Sequence, residues 1–206
     1  MQFGGVIVCG GESKRMGTPK PWLPFGGQTL LAHVVQTLRV AVEPVAVVAA
    51  ADQTLPPLPD AVILAYDRAP GRGPLEGIAV GLSVLAPYAD AAFLCSCDAS
   101  LLSPAVVRHL CGLLGEHDAV VPLVGGYRQA LTSVCRTSAG QVGEAMLESG
   151  HRKVHELFDR VNTRFVEEDE LRKVDPQLMS VHAMNTPEEY LAALAAAGLP
   201  ATPLGR

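Results

Sequence analysis

Residues 6–20 of the 206-residue chain read VIVCGGESKRMGTPK. An apolar run typical of a β-strand, Val6–Cys9, leads directly into a loop with three glycines and the basic residues Lys14, Arg15 and Lys20. Because the loop follows a strand, it should lie at the carboxyl ends of the strands, where open α/β sheets bind ligands. Glycine lets backbone N–H groups approach a phosphate closely, and the basic side chains would oppose the charge of a triphosphate. The stretch therefore predicts an α/β protein with a phosphate-binding loop.

The loop matches neither of two well-known phosphate-binding motifs. The Walker A pattern G-x-x-x-x-G-K-[ST] fails because neither Gly11 nor Gly17 precedes Lys and Ser or Thr at the required offsets. The Rossmann pattern G-x-G-x-x-G fails because Gly10 and Gly11 are adjacent and no helix is predicted before about Thr29. The alternative is a surface loop with solvated charges. Its length, its position and its clustered charges favour ligand binding.

Short apolar runs alternate with amphipathic segments over the first two-thirds of the chain, a pattern typical of a parallel sheet flanked by helices. Central strands are predicted at Val6–Cys9, Val45–Ala49, Ala61–Ala65 and Ala92–Cys95. Helices are predicted over Thr29–Leu38, over Leu75–Leu85 and from Ser103 to about Leu114, and a further strand over Ala119–Pro122. We therefore expect a three-layer α/β fold with a mostly parallel sheet.

The pattern loosens after residue 126. We expect a strand near Leu131–Cys135, a helix around Gln141–Glu148 and a charged segment from residue 167 to residue 175. A capping box at Thr186–Glu189 starts a last helix, which Gly198 ends. No repeat or linker divides the chain, so a single domain over residues 1–206 is predicted.

Composition excludes several classes of partner. With 16 Lys and Arg against 21 Asp and Glu, the formal net charge is −5, so no global positive field attracts nucleic acid or an anionic membrane. No apolar run reaches the roughly 18 residues of a membrane span, and the N-terminus has no signal-peptide pattern. We expect a cytoplasmic protein. Its five cysteines form no Cys-x-x-Cys motif and are predicted to be buried free thiols.

The loop Gly10-Gly11-x-Ser13-Lys14-Arg15-Met16-Gly17-x-Pro19-Lys20 resembles the signature loop of nucleotidyltransferases with the Rossmann-like, glycosyltransferase-A-like fold. Three further segments follow in the same order: Gly73–Ile78, Cys97-Asp98 and Asn185–Glu189. Together they are similar to the molybdenum cofactor guanylyltransferases, the MobA-like NTP transferases, over essentially the whole chain.

This resemblance implies an enzyme that transfers GMP from GTP to the phosphate of molybdopterin, with Mg²⁺ as cofactor and pyrophosphate as the second product. The nucleotide-binding half would span about residues 1–115, and the acceptor-binding half would span about residues 116–206. Molybdoenzymes or other cofactor-biosynthesis proteins are the macromolecular partners it suggests, with neither nucleic acid nor membrane among them.

The resemblance also implies roles for individual residues. Arg15, Lys20 and Asp98 would be catalytic, with Asp98 as the Mg²⁺ ligand. The nucleotide would contact Val8, Cys9, Gly10, Gly11, Lys20, Asp67, Gly77 and Asp98. The acceptor would contact Gln129, Arg152, Lys153 and Asn185.

The residue chemistry agrees with two of these roles. Asp98 follows a predicted strand, and Mg²⁺ needs few protein carboxylates when phosphates and water supply its other ligands. Asp67 can accept hydrogen bonds from a ribose or from guanine N1–H and N2–H₂. The alternatives are a capping or turn role for Asp98 and an ordinary surface position for Asp67. His151 and His155 lack a third metal ligand and are expected on an exposed helix.

Several positions depart from the family pattern. Ala49–Asp52 lacks the usual asparagine, Asn185 lacks the usual second asparagine nearby, and Ser100 stands where proline is usual. The short spacing from Gly17 to Lys20 is that of related cytidylyltransferases. A CTP-dependent molybdopterin cytidylyltransferase, a sugar-phosphate nucleotidyltransferase and a non-catalytic nucleotide or cofactor carrier therefore stay open.

Overall fold

The computed structural model describes residues 1–10 and 16–201. Its strands are β1 (Phe3–Val8), β2 (Pro24–Phe25), β3 (Gln28–Thr29), β4 (Val45–Ala49), β5 (Val62–Tyr66), β6 (Ala91–Ser96), β7 (Ala119–Val124), β8 (Tyr127–Arg128), β9 (Thr132–Arg136) and β10 (Thr163–Val166). Its α-helices are α1 (Leu30–Arg39), α2 (Pro74–Leu85), α3 (Pro104–Gly112), α4 (Ala139–Glu148), α5 (Glu168–Leu171) and α6 (Pro187–Ala196). Short 3₁₀ helices span Lys20–Trp22, Val154–Glu156 and Met179–Val181.

One mixed sheet forms the middle layer, in the order β10-β7-β9-β6-β1-β4-β5, with β8 paired to β7. Strands β6, β1, β4 and β5 are parallel, and β10 is parallel to β7. Strand β9 runs antiparallel to both β6 and β7. The predicted α/β fold with a mostly parallel sheet is confirmed.

The prediction that Ala61–Ala65 is a central strand is wrong. The corresponding strand, β5, lies at the edge of the sheet, and its Leu64 and Tyr66 are 44% and 46% exposed. Its apolar composition resembles that of the buried strands, so the run alone did not distinguish an edge from a centre.

Helices cover both faces of the sheet because alternate residues of each strand point to opposite faces. Ile7 belongs to the core that also contains the buried side of α1, whereas Val8 belongs to the core that contains α2. Helix α2 lies very close to β1, since a Cβ added at Gly77 would sit 2.8 Å from Val8 Cγ1. The three predicted layers are therefore present.

Helix starts follow the predicted capping signals. The Thr29 side chain accepts a hydrogen bond from the Ala32 amide, and Ser103 caps α3 in the same way. Thr186 and Glu189 form the predicted capping box of α6. Gly198 has a φ of +68°, which ends that helix in a conformation glycine adopts readily.

All five cysteines are buried and free, as predicted. Within residues 1–10 and 16–201, none of the helices is long and apolar enough to cross a membrane.

The second half contains the larger differences from prediction. The charged segment from residue 167 holds the short helix α5, and the unpredicted strand β10 pairs with β7. His151 and His155 do not share a helix, because only His155 lies in the 3₁₀ turn Val154–Glu156. In the first half, the 3₁₀ helix Lys20–Trp22 also begins before the first helix predicted, at about Thr29.

Candidate active site

Four parallel strands, β1, β4, β5 and β6, end at one edge of the sheet, and the segments after β1, β5 and β6 each contain a candidate site residue. Backbone hydrogen bonds hold these segments side by side: Cys9 N donates to Val48 O over 2.7 Å, and Cys97 N donates to Val8 O over 3.1 Å. Gly10, Asp67 and Asp98 are thereby brought to the same edge. This is the position at which open α/β sheets bind ligands.

A cleft of about 1240 Å³ opens at this edge. It lies between the end of β1, the segment after β4 and the segment that joins β5 to α2. Its described lining is Val8, Gly10, Gly17, Thr18, Pro19, Trp22, Ala50, Ala51, Asp52, Gln53, Thr54, Asp67, Pro70, Gly71, Gly73 and Pro74. A volume of this size is enough for a nucleotide-sized ligand.

Lys20, Ser96, Asp98 and Asn185, here called the Asp98 cluster, meet at the end of β6. Lys20 Nζ lies 2.5 Å from Asp98 Oδ2 and donates to Asn185 Oδ1 over 3.0 Å. The Ser96 hydroxyl donates to Asp98 Oδ1. The cluster thus joins residues separated by up to 165 positions in the sequence.

The chemistry of the Asp98 cluster suits both phosphate and Mg²⁺. The side chains of Lys20 and Asp98 are only 17% and 8% exposed, so their charges interact more strongly than they would in bulk water. Within the described part of the chain, no group of three or more His, Cys, Asp or Glu side chains is placed to hold a metal. One carboxylate fits an ion that takes its other ligands from phosphates and water.

Asp67 lies half-buried on the far wall of the cleft. Its backbone N–H donates to Ala49 O over 2.8 Å, and a Cβ added at Gly10 would lie 3.3 Å from Asp67 Oδ2. Partial burial, together with the nearby Glu76 carboxylate, raises the pKa of Asp67 above its ordinary value. A glycine at position 10 therefore lets the first strand approach this carboxylate closely.

Two thiols near the site, those of Cys9 and Cys95, are not poised as nucleophiles. The pKa of Cys9 is raised well above its ordinary value, mainly by a hydrogen bond with Cys97 and to a smaller extent by burial. Burial likewise raises the pKa of Cys95. Both groups are therefore neutral thiols at physiological pH.

The predicted acceptor residues lie in three places. Asn185 contacts Lys20 in the Asp98 cluster. The exposed Arg152 and Lys153 follow α4, and a Cβ added at Gly73 would lie 3.9 Å from Arg152 O, so they neighbour the nucleotide side of the cleft. Gln129, between β8 and β9, is half-buried, and its side-chain amide donates to Tyr127 O.

The remaining predicted residues are placed as follows. Gly10 and Val8 line the cleft, whereas Cys9 is buried and Gly77 faces Val8 where α2 packs on β1. Gly11 and Arg15 lie outside the described residues.

Sequence reasoning gave no individual role to three residues of this region, although Glu76 lies within the quoted segment Gly73–Ile78. Ser96 lies two positions before Asp98 at the end of a strand, a spacing that puts both side chains on one face. Trp22 is the only tryptophan of the chain, and its indole N–H donates to Thr54 O across the cleft. Glu76 is a carboxylate in an otherwise apolar helical face, a mismatch visible in the sequence, and it is 2% exposed.

The chain is similar to known proteins along most of its length. The family model for the MobA-like NTP transferase domain matches residues 5–165. A probable molybdenum cofactor guanylyltransferase from Mycobacterium avium is 37% identical over 163 residues, which cover 77% of this chain and 82% of that protein. The molybdenum cofactor guanylyltransferase of Desulfosudis oleivorans is 32% identical over 194 residues, 93% of this chain and 94% of that protein.

Structural comparison agrees. Molybdopterin-guanine dinucleotide biosynthesis protein A from Archaeoglobus fulgidus has the same fold, with a TM-score of 0.77 at 22% identity, covering 96% of this chain and 99% of that one. The resemblance found in the four sequence motifs is confirmed. This chain belongs to the MobA-like NTP transferase family.

Proposed function

We propose that this protein transfers GMP from GTP to the terminal phosphate of molybdopterin and releases pyrophosphate. The observation that carries the proposal is the Asp98 cluster, which joins Lys20, Asp98 and Asn185 beside a nucleotide-sized cleft in a chain of this family. The relatives from Mycobacterium avium and Desulfosudis oleivorans, whose names specify guanylyl transfer, support the choice of reaction.

The reaction needs positioning and charge neutralisation more than acid–base chemistry. An oxygen of the acceptor phosphate attacks the α-phosphorus of GTP in line, the new P–O bond forms, and the bond to pyrophosphate breaks. Because the acceptor phosphate is already ionised near neutral pH, no general base is required. The neutral thiols of Cys9 and Cys95 agree with a direct transfer that forms no covalent enzyme intermediate.

Lys20 is the residue that would oppose the charge developing on the phosphates. In the structure its ammonium group already lies against Asp98 and Asn185, which fixes its position at the end of β6. A preorganised charge in a poorly solvated site stabilises a transition state more than a mobile surface charge does. Arg15 is proposed to act alongside it.

Asp98 is the residue that would hold Mg²⁺, together with phosphate oxygens and water. When bound, the ion would neutralise negative charge on the triphosphate. Ser96 donates to one oxygen of Asp98 and so fixes the orientation of that carboxylate.

The guanine or ribose of GTP would be bound opposite this cluster. Asp67 is the carboxylate on that wall of the cleft, and Gly10 leaves room beside it. Guanine presents the adjacent donors N1–H and N2–H₂, which suit a carboxylate acceptor, whereas cytosine presents an acceptor at N3. We propose that GTP is preferred over CTP for this reason.

Gln129, Arg152, Lys153 and Asn185 are proposed to contact the pterin substrate. The cytoplasmic location and the molybdoenzyme or cofactor-biosynthesis partners also stay predictions.

A reconstituted assay tests the proposal. The purified protein is incubated with Mg²⁺, molybdopterin and equimolar GTP and CTP, and both pyrophosphate and the dinucleotide products are measured. The expected product is molybdopterin guanine dinucleotide, with one pyrophosphate per dinucleotide. CTP incorporation equal to or above that of GTP would replace the guanylyl assignment with a cytidylyl one, and binding without pyrophosphate release would indicate a carrier.

A further inference from the structure

The segment Asp67–Gly73, here called the Asp67 loop, joins β5 to α2 and forms one wall of the cleft. It contains Gly71 and Gly73, both with positive φ, and these two residues line the cleft together with Asp67 and Pro70. Such a loop has no regular hydrogen-bonding pattern of its own. Other groups must therefore hold it if it is to present Asp67 in one position.

The backbone of Asp67 is held on both sides. Its own N–H donates to Ala49 O at the end of β4 over 2.8 Å. The next N–H, that of Arg68, donates to Glu76 Oε1 over 3.0 Å. Asp67 is thus fixed between the edge of the sheet and one side chain of α2.

Glu76 is unusual for a carboxylate because it is 2% exposed. Besides accepting from Arg68 N, it pairs with the charged side chain of Arg72, whose Nη1 lies 3.3 Å from Glu76 Oε2. It lies in the first turn of α2, where a negative charge interacts favourably with the helix dipole. A carboxylate buried this deeply is expensive without partners, and the two partners named here both belong to the Asp67 loop.

We propose that Glu76 is a positioning residue for nucleotide binding, which holds the Asp67 loop, and with it Asp67, in the conformation that accepts GTP. The inference rests on the proposed function and extends it to a residue outside the cleft. Glu76 acts through Asp67, and its hydrogen bonds to Arg68 N and Arg72 do not involve the Asp98 cluster. Its effect should therefore appear in the affinity for nucleotide and leave the transfer step largely unchanged.

Two conservative variants separate the effect of the length of the Glu76 side chain from the effect of its charge. Glu76→Gln keeps the side-chain length and an oxygen that can accept from Arg68 N, while the half-exposed Arg72 can turn toward solvent. Glu76→Asp keeps the charge but is one methylene too short to reach Arg68 N from the same backbone. Glu144→Gln is the matched control, because it removes a carboxylate that pairs with the side chain of Arg68 at 2.8 Å, on the exposed side of the loop.

The experiment measures the Kd of Mg²⁺–GTP by calorimetry, and kcat and KM for transfer, in all three variants and the wild type. Glu76→Asp should weaken GTP binding about tenfold, as expected from losing a buried hydrogen bond, with kcat at saturating GTP within about twofold. Glu76→Gln should bind GTP within about threefold of the wild type, and Glu144→Gln should bind it as the wild type does.

Three results would overturn the inference alone: wild-type GTP affinity in Glu76→Asp, a Glu76→Gln variant that binds GTP no better than Glu76→Asp, or a loss confined to kcat. If the wild type itself neither binds nor transfers GTP, the proposed function is wrong and this inference falls with it. Thermal melting of each variant shows that the comparison is made on folded protein.

Discussion

The Asp98 cluster and the segment from residue 151 to residue 160 both gather charged side chains, but they use them differently. In the cluster, Lys20 and Asp98 come from distant parts of the chain and bond to each other through their side chains. In the other segment, Arg152 donates to the carbonyls of Leu147 and His151, close to it in sequence. Long-range side-chain pairs thus build the proposed reaction centre, whereas Arg152 mainly supplies hydrogen bonds to nearby backbone carbonyls.

A second difference is exposure. Lys20 and Asp98 are largely buried, while Arg152 and Lys153 are exposed. Charges in the cluster should therefore have large effects on catalysis, and those of the exposed segment smaller effects on acceptor binding or stability. Five substitutions in the cluster, the cleft and the exposed segment test this contrast.

The largest effect is expected from Lys20→Ala. Because the ammonium group would oppose phosphate charge in the transition state, kcat should fall by about 100-fold or more. Steady-state kinetics with GTP and molybdopterin measure the loss, and circular dichroism checks that the variant is folded. Lys173→Ala, at an exposed lysine after α5, is the control and should behave as the wild type. Near-normal turnover in Lys20→Ala would contradict the assigned role.

Asp98→Asn should impair the use of Mg²⁺. Asparagine retains an oxygen that can accept from Ser96 but loses the negative charge. The Mg²⁺ concentration for half-maximal activity should rise at least about tenfold. About tenfold is the smaller of the losses in metal affinity found when a residue that only supports a metal ligand is replaced. An unchanged Mg²⁺ titration would move the metal to another residue.

Asp67→Asn should weaken GTP binding and slightly raise Tm at neutral pH. Losing a charged acceptor should cost GTP affinity about tenfold. The pKa of Asp67 is raised in the folded state, because burial and Glu76 disfavour its ionised form. At pH values above the pKa that Asp67 has in the unfolded chain, its ionised form therefore opposes folding. This cost disappears as the pH falls through the pKa that Asp67 has in the folded protein.

Melting curves of Asp67→Asn and the wild type from pH 7 to pH 4 check the sign. The Tm advantage of the variant should shrink on acidification, and a growing advantage would contradict the raised pKa. The GTP affinity of the wild type should also begin to fall at a higher pH than the ordinary aspartate pKa of about 3.9 implies.

The smallest effects are expected in the exposed segment, where Arg152→Ala and Lys153→Ala should differ. Arg152 bonds to carbonyls at and after the end of α4, and losing about 1 kcal/mol there should lower Tm by about 2–4 °C. Lys153→Ala should leave Tm unchanged and raise the KM for molybdopterin by about two- to fivefold. Equal effects of the two substitutions on both quantities would remove the distinction between them.

Local sequence signals predicted much of the fold because their causes are local. The caps Thr29, Ser103 and Thr186 fix helix starts through contacts with the next few residues. The edge position of β5 was not predicted, because strand order depends on pairing between segments that are distant in the sequence. The same reason explains why β10, which pairs with β7, was missed.

The candidate site divides in the same way. Lys20, Asp67 and Asp98 could be selected from their positions after strands or in a glycine-rich loop. The contact between Lys20 and Asn185 could not, because it depends on how the C-terminal segment returns to the start of the sheet. The burial of Glu76 depends on the packing of α2 against the Asp67 loop, which no spacing in the sequence specifies.

The return of the C-terminal segment also bears on how the protein is made. The Tyr190 hydroxyl donates to Pro24 O over 2.6 Å. Nearby in the sequence on both sides of this contact, Asn185 accepts a hydrogen bond from Lys20. During translation, Lys20 and Pro24 leave the ribosome long before the residues that contact them. A nascent chain can pair β1 with β4 and β6 before Asn185 has been synthesised, but the Asp98 cluster is completed only after Asn185 has left the exit tunnel. A translation product that ends between β10 and Asn185 would therefore contain every strand of the sheet but lack one residue of the reaction centre.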